Sequence, residues 1–114
     1  MTRRLLLWGG AAVTTGALAG CSGDDVAGPV AIDITIDQGT MTPNGDRVEV
    51  VKGSVVTVSV TSDVNVLIHV HGYEKEINAT AGKRAEVKFS ADMVGSFEIE
   101  THDPARVVAQ LVVR

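Results

Sequence analysis

From about residue 30 onward, apolar and polar residues alternate. "AIDITIDQ" puts Ile32, Ile34 and Ile36 on one side and Asp33, Thr35 and Asp37 on the other. That is the period-two pattern of a strand with one buried face. The same alternation returns in short β-branched runs: "RVEVV" after the turn "PNGD", "SVVTVSVT" after "KG", and "NVLIHV" before "HGYEKE". It returns again in "RAEVKFS" after "AGK", in "SFEIET" after Gly95, and in the closing "VVAQLVV". Gly, Pro, Asn and Asp punctuate these runs at regular spacing, and no ten-residue stretch carries a helical period. The pattern predicts an all-β domain over 31–114, an antiparallel Greek-key β-sandwich of seven or eight strands. Val56, Val58, Val60, Ala85, Val87, Phe89, Phe97 and Ile99 are the expected inward positions. Met41 and Met93 fall in turn-like contexts, "GTMTP" and "ADMVG", and Met93 is read as packing rather than as a ligand.

The first thirty residues break this pattern. Arg3 and Arg4 precede an apolar or small stretch, Leu5 to Leu18, and then Leu18-Ala19-Gly20-Cys21. A short basic region followed by an apolar one is the layout of a secretory signal, and the stretch is too short and too rich in Gly and Thr for a stable span. "LAGC" resembles the bacterial lipoprotein lipobox. The resemblance implies diacylglycerol on the Cys21 thiol and cleavage directly before it. Residues 1–20 are then a signal peptide. Residues 21–30, "CSGDDVAGPV", read as a flexible lipid-anchored tether. Each buried acyl CH₂ contributes about 0.8 kcal/mol, so two or three chains hold a protein firmly on a bilayer. The expected location is extracytoplasmic, on a bacterial membrane. "TRRLLL" is also a partial twin-arginine signal, which leaves the export route open.

Charge and composition exclude some classes of function. The full chain carries a net −4; without Arg3 and Arg4, fourteen acidic residues face eight basic ones, a net charge near −6. Such a domain is a poor match for nucleic acid or for anionic lipid headgroups. Cys21 is the one cysteine, so an acylated chain has no thiol left for a disulfide or a catalytic nucleophile. No serine sits in a nucleophile elbow. An enzyme is therefore not expected, unless an open three-histidine metal site acts as one.

Candidate chemistry gathers in "VLIHVHGY". Residues i and i+2 of a strand share a face, so His69 and His71 can point at one ion, about 7 Å apart at Cα. His102, the third histidine, follows in "EIETHDPAR", between Glu100 and Asp103. Neutral imidazoles suit Cu(II) and Zn(II), with Glu100 or Asp103 as a fourth ligand or as a partner that orients a ligand.

At this point the stretch from about Ile32 to Val113 resembles the cupredoxin family. The opening strand, "KGSVVTVSVTSD" and "FSADMVGSFEIETH" carry the resemblance. It implies a cupredoxin-like sandwich in which His69 matches the family's first ligand and His102 lies in its second ligand loop. It also implies that His69, His71 and His102 gather at one end of the sandwich, where "NVLIHV" ends beside the loop after "SFEIE". The family's blue-copper site needs a cysteine thiolate near Thr101 and a following methionine, and this sequence has neither, so a blue-copper electron carrier is excluded. Two readings stay open. One is a thiol-free site that binds Cu(II) or Zn(II), or hands it to an extracytoplasmic protein partner. The other is a metal-free binding or structural module that kept the fold.

Overall fold

The structure, a computed structural model, describes residues 26–114. The expected signal peptide, Cys21 and most of the expected tether lie outside the described residues. Nine strands follow in order: β1 (Pro29–Asp37), β2 (Thr40–Thr42), β3 (Asp46–Val50), β4 (Val55–Ser62), β5 (Val66–Val70), β6 (Lys75–Ala79), β7 (Ala85–Ser90), β8 (Gly95–Thr101) and β9 (Arg106–Val113). No helix occurs among the described residues. β1 begins at Pro29, so its first two residues come from the stretch read as tether.

The strands form a four-stranded sheet, β2-β1-β4-β7, and a five-stranded sheet, β3-β9-β8-β5-β6. Their inner faces make one core. Ile32, Ile34 and Ile36 of β1 and Val56, Val58 and Val60 of β4 meet Ile68, Val70, Ile99, Val108, Leu111 and Val113 from the other sheet. The β1 and β4 residues and Ile99 are expected from the alternation, because every second residue must leave water together for a strand to bury a face; Val108 is out of phase with Leu111 and Val113. Ala85, Val87 and Phe97 pack against this core but are only partly buried.

Two features depart from the pattern. Met41, placed in a turn by its context, is the centre of the short β2 and is 3% exposed. More important, the sheets are not wholly antiparallel: β1 runs parallel to β4, and β3 parallel to β9. Parallel neighbours cannot be joined by a hairpin and need a connection that crosses over. Here β1 reaches β4 only after the chain passes through β3 in the opposite sheet. Period-two alternation reports which face is buried and is silent on the direction of a neighbour. A bulge at Ile99/Glu100 breaks the β8–β9 ladder: Ile99 stands opposite Ala109 but Glu100 opposite Val107, which leaves Val108 unmatched.

Candidate metal centre

β5 and β8 are adjacent and antiparallel, with Ile68 opposite Thr101, His69 opposite Glu100 and Val70 opposite Ile99. Ile68, Val70, Ile99 and Thr101 are all buried. By alternation His69 and Glu100 point out of the other face of the five-stranded sheet. On its other side His69 pairs with Glu76 of β6. His71 follows β5, and its backbone N–H donates to Glu98 O at 2.9 Å, which continues the ladder by one step.

The turn after His71 has a strict requirement. Gly72 has φ +84°, and a Cβ there would overlap the Phe97 ring. Glu74, also at positive φ (+54°), closes the turn and brings its carboxylate to 3.4 Å from His69 Nε2.

The three histidines do come together. The His69 and His71 ring centroids are 4.4 Å apart, and those of His69 and His102 are 5.7 Å apart. They meet on the outer face of the five-stranded sheet, with His102 at its cavity end and beside the start of β5 rather than its end. The antiparallel register explains this. It sets the start of β5, not its end, beside the loop after β8, and the His102 N–H donates to Leu67 O at 3.2 Å. His102 is thus the diagonal neighbour of His69 across the ladder.

Glu100 is the carboxylate within this group. Its Oε1 lies 2.8 Å from His71 Nε2, and its side chain is 19% exposed. The hydrogen bond to Glu100 raises the His71 pKa above its ordinary value; partial burial opposes the shift, and the charges of Glu100, Glu74 and Glu98 add to it. The same hydrogen bond lowers the Glu100 pKa, against burial and with help from the charges of His71, His102 and His69. Asp103 sits elsewhere. It lines a cavity of about 550 Å³ at the end of the sandwich, with Met41, Val64, Leu67, Thr101, His102 and Arg106 among its walls. Sequence reasoning missed Glu74; the four-residue turn "HGYE", which folds that carboxylate back over β5, was the available signal.

As these side chains stand, no group of three or more His, Cys, Asp or Glu among the described residues is arranged to hold a metal ion. The rings are close, but His71 Nε2 faces Glu100 and His69 Nε2 faces Glu74. An ion would have to take those nitrogens from the carboxylates or use the other ring nitrogens. The blue-copper set does not fit at all. Thr101 is 5% exposed, its hydroxyl donates to Pro104 O at 2.8 Å, and residues 26–114 contain no cysteine.

No family model matches the chain, and no curated protein matches it by sequence. Solved structures do match. A chain of a heme-copper terminal oxidase dimer is 20% identical with a TM-score of 0.58, over 81% of this chain and 66% of that one. The blue copper oxidase from Nitrosomonas europaea is 18% identical with a TM-score of 0.58, over 75% of this chain. This chain spans only 39% of that oxidase. Auracyanin A, a "blue" copper protein from Chloroflexus aurantiacus, is 20% identical with a TM-score of 0.54, over 75% of this chain and 99% of its own. At such identities the likeness speaks for the fold alone, and with the two packed sheets it makes this domain a cupredoxin-like β-sandwich.

Proposed function

We propose that this protein is an extracytoplasmic lipoprotein, held to a bacterial membrane by diacylglycerol on Cys21, whose cupredoxin-like domain binds Cu(II) or Zn(II) on the flank of its five-stranded sheet. His69, His71 and His102 are the ligands, and Glu100 orients His71 or serves as a fourth donor. The role is to hold the ion or pass it to a protein partner, not to catalyse a reaction. One observation carries this reading: three imidazoles, His69 in β5 and His71 and His102 just beyond β5 and β8, lie with ring centroids 4.4 Å and 5.7 Å apart beside the half-buried Glu100 carboxylate. Nitrogen and oxygen donors without thiolate suit divalent copper and zinc and disfavour Cu(I).

Calorimetric titration of Cu(II) and of Zn(II) into the purified protein, beside a His69→Ala, His71→Ala variant, tests the proposal. Wild type should bind one ion, and the variant should lose at least about tenfold in affinity, roughly 1.4 kcal/mol. Bound Cu(II) should give a nitrogen-rich electron paramagnetic resonance spectrum without an intense blue band. Equal binding by both proteins would overturn the assignment.

A second reading has its own support. His71 and His69 already face carboxylates, which satisfies them without an ion. On that reading the domain is a metal-free binding or structural module, and neither protein binds above background.

A further inference from the structure

Exposed apolar side chains are unevenly placed on this domain. Five large ones stand out among the described residues: Val26 at 67%, Val94 at 64%, Val64 at 52%, and Val55 and Met93 at 40% each. Val64 lines the cavity at one end. The other four lie at the opposite end, where β1, β4 and β8 begin and β7 stops. Backbone hydrogen bonds join their segments: Val55 N–H to Gly28 O at 3.1 Å, Gly53 N–H to Ala91 O at 2.8 Å, and Ala91 N–H to Ser54 O at 2.8 Å. A Cβ at Gly53 would stand 3.5 Å from that of Ala27. The Tyr73 hydroxyl fixes the tip of the β7–β8 loop, donating to Met93 O at 2.8 Å and accepting from Met93 N–H at 3.0 Å. Scattered exposed apolar residues are ordinary; four around one end mark a contact surface.

We propose that this end rests on the lipid bilayer, with Val26, Val55, Met93 and Val94 entering the interface. The inference rests on acylation of Cys21 as read above. Chain length makes the bilayer the occupant. Val26 is five residues after Cys21, and an extended chain spans at most about 3.6 Å per residue, roughly 18 Å in all. The chain enters the domain at this same end, so a lipid on Cys21 keeps that end near the membrane. Side chains that reach the boundary between headgroups and acyl chains need to descend only about 5–10 Å. Exposed Lys52 and Asp92 and the Glu49–Arg114 pair share this end, so the four apolar side chains enter between charged groups that stay at headgroup level. The cavity end is then turned away from the membrane, and the histidine flank stands to the side, open to a soluble ion or partner.

The test uses the full acylated chain in phosphatidylcholine vesicles with brominated acyl chains, which quench fluorophores that reach them. A bimane label goes on Val94→Cys in one preparation and on Val64→Cys in another. The label at 94 should lose most of its emission, and the label at 64 should keep it. In a Met93→Asp, Val94→Asp background, a label on Val55→Cys should regain emission. Equal quenching at 94 and 64, no quenching at either, or unchanged quenching at 55 would overturn the orientation. Mass spectrometry of the same preparations separates the two claims. An acylated chain without differential quenching leaves the anchor standing and removes the orientation; an unacylated chain removes both.

Discussion

The two sheets turn the same alternation toward solvent and put different chemistry on it. On the four-stranded sheet the outward positions carry Asp33, Thr35, Thr57, Thr61, Glu86 and Lys88, with Ser59 covered among them. Opposite charges and hydroxyls answer one another there: Arg84 lies 3.4 Å from Asp33, and the Ser59 hydroxyl bonds Glu86 at 3.3 Å. On the five-stranded sheet, His69, His71 and His102 lie among Glu74, Glu76, Glu98 and Glu100. The inward residues of the two sheets are mostly aliphatic, with Phe89 and Thr101 as exceptions, and most could trade places chemically. The outward ones could not. In this domain the fold is written on the inside of the strands, and whatever distinguishes the protein is written on the outside of one sheet.

That contrast can be broken at several points. Inside, the sheets should be equivalent: Ile34→Ala and Ile68→Ala should each cost about 2–5 kcal/mol in urea unfolding, since both are fully buried. A markedly smaller cost for either would mean that the core is not shared. Gly72→Ala should cost about 1–3 kcal/mol through its positive φ, with the Phe97 overlap added.

Outside, the sheets should differ in how they answer pH. His71, with its raised pKa, stabilises the fold fully below its unfolded value near 6.5, and that contribution fades as pH climbs through the folded value. Glu100, with its lowered pKa, contributes fully above its unfolded value near 4.5 and fades as pH falls through the folded value. The pair therefore helps most between those two unfolded values, in mildly acidic solution. Nuclear magnetic resonance titration should show the His71 midpoint falling toward the ordinary value in Glu100→Gln. The same change at Glu86, on the other sheet, should leave that midpoint unmoved. An unshifted midpoint in Glu100→Gln would mean that the pair does not form. The smallest effect belongs to the four-stranded face: Arg84→Ala, which removes an exposed ion pair, should change stability by less than about 1 kcal/mol.

Much of this architecture was legible in the sequence because burying a strand face imposes a period of two. Ile32, Ile34 and Ile36 announce their strand, and so do Val56, Val58 and Val60. What the period cannot carry is the identity and direction of the neighbour. That is why the parallel β1–β4 and β3–β9 pairs had no signature, and why Met41 looked like a turn residue. The site was legible to the same degree. The spacing of His69 and His71 put two imidazoles on one side, but the position of His102 depends on the β5–β8 register, which only the folded chain fixes. The expected end of "NVLIHV" gave way to its start, as the neighbour of the loop after β8, for that reason. Asp103, equal to Glu100 by sequence proximity, separates from it because alternation and the following turn send the two residues to different surfaces.

The bulge at Glu100 reaches further than the ladder it interrupts. With an unbroken register, Glu100 would lie opposite Val108 and Thr101 opposite Val107, and the inward row of β9 would finish on an aliphatic side chain. One extra residue shifts the phase of the strand, so Arg106 takes the place opposite Thr101. Arg106 is exposed, and its Nη1 donates to Gly39 O at 3.5 Å, so its charged head stays at the rim in contact with water. The end of the sandwich consequently stays uncorked, and the cavity beside Met41 and Leu67 has a charged, wettable rim instead of a lid.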